Sequence, residues 1–145
     1  MNESRAFSLP TRVYWEDTDA GGVVYHAQYL AFFERARTEW LRALGLGQER
    51  LRAEHDLVFV VREMQLDFRK PARLDDLLDV RAELQQCRKA SIVFAQSIAR
   101  EGAVLADATV RIAAVRASAF NPVAIPEALY RQLKSLESPE AKPPT

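Results

Sequence analysis

Two acidic residues, two adjacent glycines and one histidine lie close together near the start of the chain: Asp17, Asp19, Gly21, Gly22 and His26. A carboxylate can act as a general base or as a nucleophile. A Gly-Gly pair lets the backbone bend closely around a ligand. The stretch lies between a strand-like pattern and the longest helical pattern of the chain. Functional groups are often held on a loop between rigid elements of this kind, so we expect a functional site here.

The chemistry that this arrangement favours is attack on a carbonyl group. The helix that follows offers unpaired N–H groups and the positive end of its dipole. An acid facing that helix end across Gly21-Gly22 could drive the attack while the N–H groups hold the developing oxyanion. A structural interpretation is also open, in which Asp17, Asp19 or both cap a turn or the start of the helix. The residues alone do not decide between these two interpretations.

Other kinds of site do not fit the sequence. An EF-hand loop starting at Asp17 would need an oxygen ligand at its fifth position and a Glu at its twelfth, but these positions hold Gly21 and Gln28. Two histidines and the single cysteine, Cys87, are too few for a zinc site, so we expect no metal. No serine-hydrolase elbow, phosphate loop or dinucleotide fingerprint is present. We expect His26 to be a local structural or substrate-contacting group rather than the main catalyst.

The composition is that of one ordinary globular domain. The chain has 145 residues, of which 48% are hydrophobic, and its 20 Lys+Arg balance its 20 Asp+Glu. That balance argues against non-specific nucleic-acid binding. One cysteine, no apolar run long enough for a membrane span and no signal-peptide pattern predict a cytoplasmic protein. We predict a single domain over residues 1–137 and a disordered, proline-rich tail over residues 138–145.

The elements that must position the loop can be predicted from hydrophobic spacing. Alternating residues predict a strand over 7–15, and helical spacing predicts a long helix from Tyr29 to Leu44 that ends at Gly45. A short helix is predicted over 48–55, and another from Pro126 to about Leu136.

Between these helices the period changes to two. Four strands joined by short turns are predicted, with apolar positions Val58, Val60, Met64, Leu66 and Phe68, then Leu78–Leu84, Ile92–Ile98 and Val104–Ala114. Arg62 interrupts the first apolar face and must reach solvent or a partner. The absence of βαβ alternation disfavours a parallel sheet and predicts an antiparallel meander. Its long last strands could leave an edge free for a second subunit.

The loop and two later segments resemble a known family. The run Asp17-Thr18-Asp19-Ala20-Gly21-Gly22-Val23-Val24-Tyr25-His26-Ala27-Gln28-Tyr29, followed by Phe33-Glu34-Arg35-Ala36-Arg37, is similar to the hotdog-fold acyl-CoA thioesterases of the 4-hydroxybenzoyl-CoA thioesterase type. Within that group it most resembles the bacterial Tol–Pal-associated acyl-CoA thioesterases. The segments over 67–76 and 106–111 resemble the same family, and the resemblance covers roughly Arg12 to Val115.

The resemblance implies an α+β hotdog fold, with a curved antiparallel sheet of about five strands around one long helix. It implies Asp19 as nucleophile or general base, the backbone N–H of His26 as oxyanion donor and the N–H of Tyr25 as an assisting donor. No cofactor is expected, and coenzyme A enters as part of the substrate.

Assembly and coenzyme A contacts are also implied by the resemblance. Family members form dimers and often tetramers, with active sites at the subunit interface. Basic residues gather at Arg69, Lys70 and Arg73, and again at Arg88 and Lys89, where they could bind phosphates. From the family's use of the sheet rim we expect the second cluster to contact coenzyme A, together with Ser91.

Two other functions are compatible with the sequence. A related hotdog enzyme could hydrate or dehydrate an acyl thioester, using His26 with an acid. A non-enzymatic adaptor could bind acyl carrier protein or a cell-envelope partner. Thiol release from a saturated acyl-CoA would distinguish hydrolysis from both.

Overall fold

The computed structural model describes residues 6–138. The elements in chain order are β1 (Phe7–Arg12), a short 3-10 helix (Trp15–Asp17), α1 (His26–Ala43), α2 (Gln48–His55), β2 (Leu57–Phe68), β3 (Leu77–Cys87), β4 (Ser91–Arg100), β5 (Ala103–Arg116) and α3 (Glu127–Ser135). Most of the predicted tail, residues 139–145, lies outside the described residues. Ser138, its first residue, is buried and donates its N–H to the carbonyl of Leu84 at 2.8 Å.

The five strands form one antiparallel sheet in the order β1-β3-β4-β5-β2. The predicted four-strand meander is therefore wrong in one respect, because β2 pairs with β5 and not with β3. The connection over 69–76 is longer than the two to five residues of a hairpin loop. It crosses the end of the sheet, where the N–H of Lys70 bonds the carbonyl of Leu105 and the carbonyl of Asp76 accepts the N–H of Val13. The free edges are consequently β1 and β2, and not the last strand.

A β-bulge in β2 explains the charged residue that interrupts its apolar pattern. The register with β5 shifts between Val61 and Glu63, so Arg62 is the extra residue. An inserted residue reverses which alternate side chains face the core. Leu57 and Phe59 are buried before the bulge, whereas the predicted face had placed Val58 and Val60 inward. That part of the prediction is wrong, while Met64 and Leu66 after the bulge pack on the core as predicted.

The long helix α1 supplies the aromatic half of the core. The helical spacing predicts one apolar face from Tyr29 to Leu44, and its residues Tyr29, Phe32, Phe33, Ala36 and Trp40 are all buried, whereas Ala43 at its end is exposed. They pack on the inward residues of the sheet, such as Leu78, Val80, Leu84, Phe94, Ile98 and Val110. The helix begins three residues earlier than its hydrophobic spacing predicts, because its first turn is exposed and carries no apolar signal.

The first strand ends before Trp15, earlier than predicted. The alternation predicted a strand through this residue, with its side chain on the apolar face. The strand ends at Arg12, and Trp15 is instead 80% exposed on the 3-10 helix. None of the helices over residues 6–138 is long and apolar enough to cross a membrane.

Candidate active site

The acidic loop forms a narrow hairpin that is fixed at its base by Asp17. The buried carboxylate of Asp17 accepts the N–H of Tyr14 at 2.8 Å, and its carbonyl accepts the N–H of Tyr25 at 2.9 Å. An antiparallel bridge between Thr18 and Val24 continues the hairpin. Asp17 is therefore a structural acid, which joins the 3-10 helix to the start of α1.

Asp19 lies beyond this base and is exposed. Its N–H donates to the carbonyl of Val23 at 2.9 Å, and its carbonyl accepts the N–H of Gly22 at 3.0 Å, which closes the turn. The N–H of Gly21 donates to Oδ1 of Asp19 at 2.8 Å. The turn thus holds one carboxylate oxygen and leaves Oδ2 without a partner among the described residues.

The two glycines of the turn have different reasons to be glycine. Gly22 has φ of +78°, a conformation that side-chain-bearing residues rarely adopt. A Cβ on Gly21 would lie 3.3 Å from Oδ1 of Asp19, tighter than most real Cβ contacts. The second glycine therefore permits the turn, and the first leaves room for the carboxylate.

The start of α1 follows directly from the hairpin. Asp19 is two residues beyond the rung at which Asp17 and Tyr25 pair, or about 7 Å along an extended strand. Tyr25 is the N-cap and makes no side-chain cap. The N–H groups of His26 and Ala27 find no acceptor within residues 6–138, as expected of a first helical turn. The hairpin therefore carries an exposed carboxylate about two strand residues from a helix start with two open N–H donors.

The predicted assisting donor, Tyr25, is engaged elsewhere. Its N–H is the one that bonds the Asp17 carbonyl, so it is not open in the way that the N–H of His26 is. The rings of Tyr25 and His26 are both exposed, with centroids 4.4 Å apart. These rings flank the helix start and can contact a ligand that reaches it.

Buried Ala72, in the connection between β2 and β3, is hydrogen-bonded to both the hairpin and α1. The carbonyl of Ala72 accepts the N–H of Val24 at 2.8 Å, and its N–H donates to the hydroxyl of Tyr29 at 2.9 Å. Val23 and Arg73 form an antiparallel bridge. The ring of Tyr29 also packs edge-on against Phe68, with centroids 5.1 Å apart. The hairpin is thereby fixed to the end of the sheet where β2 finishes and β3 begins.

The predicted coenzyme A residues lie at the other end of the sheet within one chain. Arg88 and Lys89 are exposed in the β3–β4 turn, where the N–H of Arg88 bonds the carbonyl of Ser91 at 2.8 Å. The eleven residues of β3, roughly 35 Å of strand, separate this turn from the hairpin. One chain alone therefore does not bring Arg88, Lys89 and Ser91 to Asp19.

The other basic cluster lies at the hairpin end. Arg69 forms an ion pair with the buried carboxylate of Asp107. Its positive charge is therefore already paired within the fold. The side chains of Lys70 and Arg73 are exposed and have no ion-pair partner within the described part of the chain. These two residues are candidates for phosphate contacts that the expected set did not include.

A cavity of about 240 Å³ opens beside α1, and sequence reasoning missed its main feature. Its walls include Glu34, Arg37 and Thr38 on α1 and Val60 and Val61 on β2; Leu41, Gln48, Phe59, Ile92, Phe94 and Ile112 complete the lining. The signal in the sequence was that Arg37 follows Phe33 by four positions, which places a charge on the apolar face.

Arg37 is buried, and its Nη1 donates to Oε1 of buried Gln96 at 2.9 Å. Nε2 of Gln96 in turn donates to the carbonyl of Phe33 at 3.1 Å. Desolvation lowers the pKa of Arg37, and the charge of Glu34 opposes this. Within residues 6–138 the guanidinium has no carboxylate in ion-pair contact. No group of three or more His, Cys, Asp and Glu side chains in the same residues could hold a metal ion.

Comparisons with known proteins agree with this architecture. The family model described as "Thioesterase-like superfamily" matches residues 13–133. The chain is 50% identical over 131 residues to the acyl-CoA thioesterase YbgC of Haemophilus influenzae, covering 88% of this chain and 96% of that protein. It is 46% identical over 129 residues to the acyl-CoA thioester hydrolase YbgC of Escherichia coli, with the same two coverages.

Solved structures show the same fold. A probable thioesterase from Bartonella henselae superposes with a TM-score of 0.80 at 37% identity, over 83% of this chain and 99% of that one. A 4-hydroxybenzoyl CoA thioesterase mutant complexed with 4-hydroxybenzoyl CoA superposes with a TM-score of 0.82 at 19% identity, over 89% and 98%. The predicted α+β hotdog fold is confirmed.

Proposed function

The chain belongs to the thioesterase-like superfamily and hydrolyses acyl-CoA thioesters, and we propose that Asp19 and the first turn of α1 are its catalytic groups. The observation that carries this proposal is the hairpin geometry. It leaves Oδ2 of Asp19 open about two strand residues from the helix start, where the N–H groups of His26 and Ala27 have no acceptor within the described residues.

In the proposed reaction the thioester carbonyl lies between the carboxylate and the helix start. Asp19 either attacks the carbonyl carbon itself or removes a proton from the water that attacks it. Negative charge then develops on the carbonyl oxygen, which accepts hydrogen bonds from the N–H of His26 and its neighbour. One such donor can contribute about 3 kcal/mol to lowering the barrier. When water attacks, the tetrahedral intermediate breaks its carbon–sulfur bond and the proton held by Asp19 passes to the thiolate, which releases the acid and the coenzyme A thiol. When Asp19 attacks, the same bond cleavage releases the coenzyme A thiolate, which takes a proton from solvent, and leaves a mixed anhydride on Asp19 that water then hydrolyses to the free acid.

Tyr25 contributes to this site mainly through its fixed position. Its N–H bonds the carbonyl of Asp17 at 2.9 Å, so it holds the helix start in register with the acidic hairpin. To act as a second oxyanion donor it would have to give up that hydrogen bond. We therefore assign the principal donation to His26.

We further propose that the enzyme is a dimer joined through the edge strand β2. Val61 on this strand is 49% exposed, Phe68 is 51% exposed, and the strand lies at the edge of the sheet. Unpaired N–H and carbonyl groups of an edge strand are a template for pairing with a second copy. Antiparallel pairing about a two-fold axis would place the end of β2 in one subunit beside its beginning in the other.

Such a dimer accounts for the distant coenzyme A residues. The hairpin lies at the Phe68 end of β2, and the Arg88–Ser91 turn lies at the Leu57 end. A two-fold axis through the middle of the strand brings the partner's Arg88 turn to the hairpin end of this subunit. Arg88, Lys89 and Ser91 would then bind the phosphates of a substrate held at the Asp19 of the neighbouring subunit.

Association of two dimers and a cytoplasmic location are expectations of the same proposal, and acyl carrier protein is an alternative thiol carrier to coenzyme A. A cell-envelope partner belongs to the alternative in which the chain is a non-enzymatic adaptor. Each is tested by a direct measurement of mass, location or partner binding.

The catalytic assignment is tested by thiol release from short-chain, long-chain and aromatic acyl-CoAs, with wild type and Asp19→Asn measured together. Asp19 is exposed, so the variant should fold normally and still bind coenzyme A. Turnover should fall by about 10²–10⁴-fold, the usual contribution of a positioned acid or base. Near wild-type turnover in Asp19→Asn would refute the assignment of Asp19 as the catalytic carboxylate. Hydration of an enoyl-CoA without thiol release would point to a different reaction.

A further inference from the structure

The side of α1 that faces β2 carries a charge pattern that one chain leaves incomplete. Leu30, Glu34, Arg37 and Leu41 follow one another at intervals of three or four residues, which places them on one stripe of the helix. Glu34 and Arg37 line the cavity together with Val61 of the edge strand. We call this stripe and the adjoining part of β2 the α1–β2 face.

The two charged residues of this face differ in environment. Glu34 is exposed and has no ion-pair partner among residues 6–138. Arg37 is 6% exposed, and its single hydrogen-bond partner in the same residues is the neutral amide of Gln96. Buried charges in proteins are normally paired, because an unpaired charge is costly to desolvate. The cavity therefore presents a buried cation with no carboxylate in ion-pair contact within residues 6–138, and an exposed anion, Glu34, one helical turn away that acts on it only at longer range.

Symmetry supplies the missing counter-ion. The middle of α1 falls between Glu34 and Arg35, and the middle of β2 falls at its bulge beside Val61. In a two-fold dimer paired through the middle of β2, Val61 lies near the axis, and the α1–β2 face of one subunit meets the same face of its partner with α1 running in the opposite direction. A Glu and an Arg three positions apart form a self-complementary pair in that arrangement. Exposed Leu30, at 43%, and Val61, at 49%, would supply apolar contact around it.

We propose that Glu34 of each subunit enters the cavity of its partner and pairs with Arg37 there, so that two reciprocal ion pairs hold the dimer. Gln96 positions the guanidinium for the pair. The cavity of one chain is thus half of a subunit contact, completed by the second copy. This inference rests on the β2-mediated dimer proposed above and names the residues that specify it.

The test uses two single charge reversals, Glu34→Lys and Arg37→Glu. Each variant alone places like charges together in both pairs of its homodimer. A heterodimer of the two variants instead has opposite charges in both pairs. Sedimentation velocity should show each variant dimerising at least about tenfold more weakly than wild type, and the equimolar mixture recovering a dimer close to wild-type affinity. Charge reversals at Arg35 and Glu39, which lie elsewhere on α1, serve as matched controls and should leave dimerisation unchanged.

Folding is monitored by circular dichroism, because Arg37 is buried. If Arg37→Glu does not fold, Arg37→Gln replaces it. Its mixture with Glu34→Lys has one attractive and one neutral pair, so it should dimerise more strongly than Glu34→Lys alone.

Recovery of dimer only on mixing supports the reciprocal pair. A mixture that dimerises no better than its components overturns it. Unchanged dimerisation of Glu34→Lys, with a KM increase in Arg37→Gln that is selective for a carboxylated acyl-CoA, would instead assign Arg37 to the substrate. Thiol release by wild type is measured on the same samples. An active, dimeric wild type with no recovery on mixing refutes only this inference, whereas an active monomer also refutes the dimer.

Discussion

The N–H of Gly21 donates to Oδ1 of Asp19 at 2.8 Å, and a Cβ on Gly21 would lie 3.3 Å from the same oxygen. One residue therefore both orients the carboxylate and leaves the space that it occupies. The other carboxylate oxygen has no partner among residues 6–138, and in the proposed mechanism it faces the substrate. This relationship separates the two glycines of the loop by function, and they can be tested as a matched pair.

Gly21→Ala should impair catalysis more than folding. The added methyl group must displace the Asp19 carboxylate, and small misplacements of a reacting group can cost up to about 10²-fold in rate. We expect kcat to fall by about tenfold or more, with an unfolding free energy close to that of wild type. A wild-type kcat would show that the position of Oδ1 is unimportant.

Gly22→Ala should destabilise the fold more than it impairs catalysis. No atom lies within 4 Å of a Cβ placed there, but φ is +78°. Holding a side-chain-bearing residue in this left-handed conformation costs about 1–2 kcal/mol. Urea unfolding should show a loss of that size, and kcat measured well below the unfolding transition should change less than in Gly21→Ala.

Asp17→Ala should destabilise the chain. Its buried carboxylate accepts the N–H of Tyr14 in a part-buried hydrogen bond, and a hydrogen bond to a charged group contributes about 1.5–3 kcal/mol. The exposed neighbour Glu16 provides the control, since Glu16→Ala should change the unfolding free energy by less than about 0.5 kcal/mol. Equal stabilities of the two variants would contradict a structural role for Asp17.

Coenzyme A contacts can be assigned by comparing two double variants on two substrates. Arg88→Ala/Lys89→Ala should raise KM for an acyl-CoA by about tenfold, because charge-assisted hydrogen bonds to phosphate are lost. The N-acetylcysteamine thioester of the same acyl group has no phosphates. The KM for that thioester should therefore be the same in this double variant as in wild type. Lys70→Ala/Arg73→Ala is the matched comparison at the other end of the sheet. An effect confined to this second pair would transfer the phosphate site to the hairpin end.

Cys87 should remain a protonated thiol across the range used for thiol-release assays. Burial raises its pKa to about 11, which the charge of nearby Lys134 partly opposes. The thiol should react slowly with a disulfide reagent at pH 8 and quickly after denaturation. Fast reaction of the native protein would contradict the burial.

The same pKa shift has a consequence for stability. The folded state holds the thiol proton more tightly than the unfolded state, whose thiol has a pKa of about 8.5. The contribution is therefore fully present below about pH 8.5 and is lost as pH rises towards 11. Unfolding free energy should decline over this interval more steeply in wild type than in Cys87→Ala, which has no thiol to titrate. Parallel plots of unfolding free energy against pH for the two proteins would refute the raised pKa of Cys87.

The sequence determined the local elements well, since their signals are local. The aromatic spacing from Tyr29 to Trp40 specified the buried face of α1, and the alternation from Leu78 to Leu84 specified the buried face of β3. The order of Asp19, Gly21-Gly22 and helix start in the chain was enough to predict an acid on the turn that leads into α1. Each of these inferences depends on residues within a few positions of one another.

The tertiary structure decided what depends on distant residues. Strand order could not be read from alternation, because alternation predicts which side of β2 is apolar and not which strand its backbone pairs with. The bulge at Arg62 also reversed the inward side of β2. The separation of Arg88 from Asp19 and the meeting of Arg37 with Gln96, 59 positions later in the chain, also follow only from the folded sheet. Local spacing fixes which side of an element is apolar, whereas long-range pairing fixes which charged groups meet.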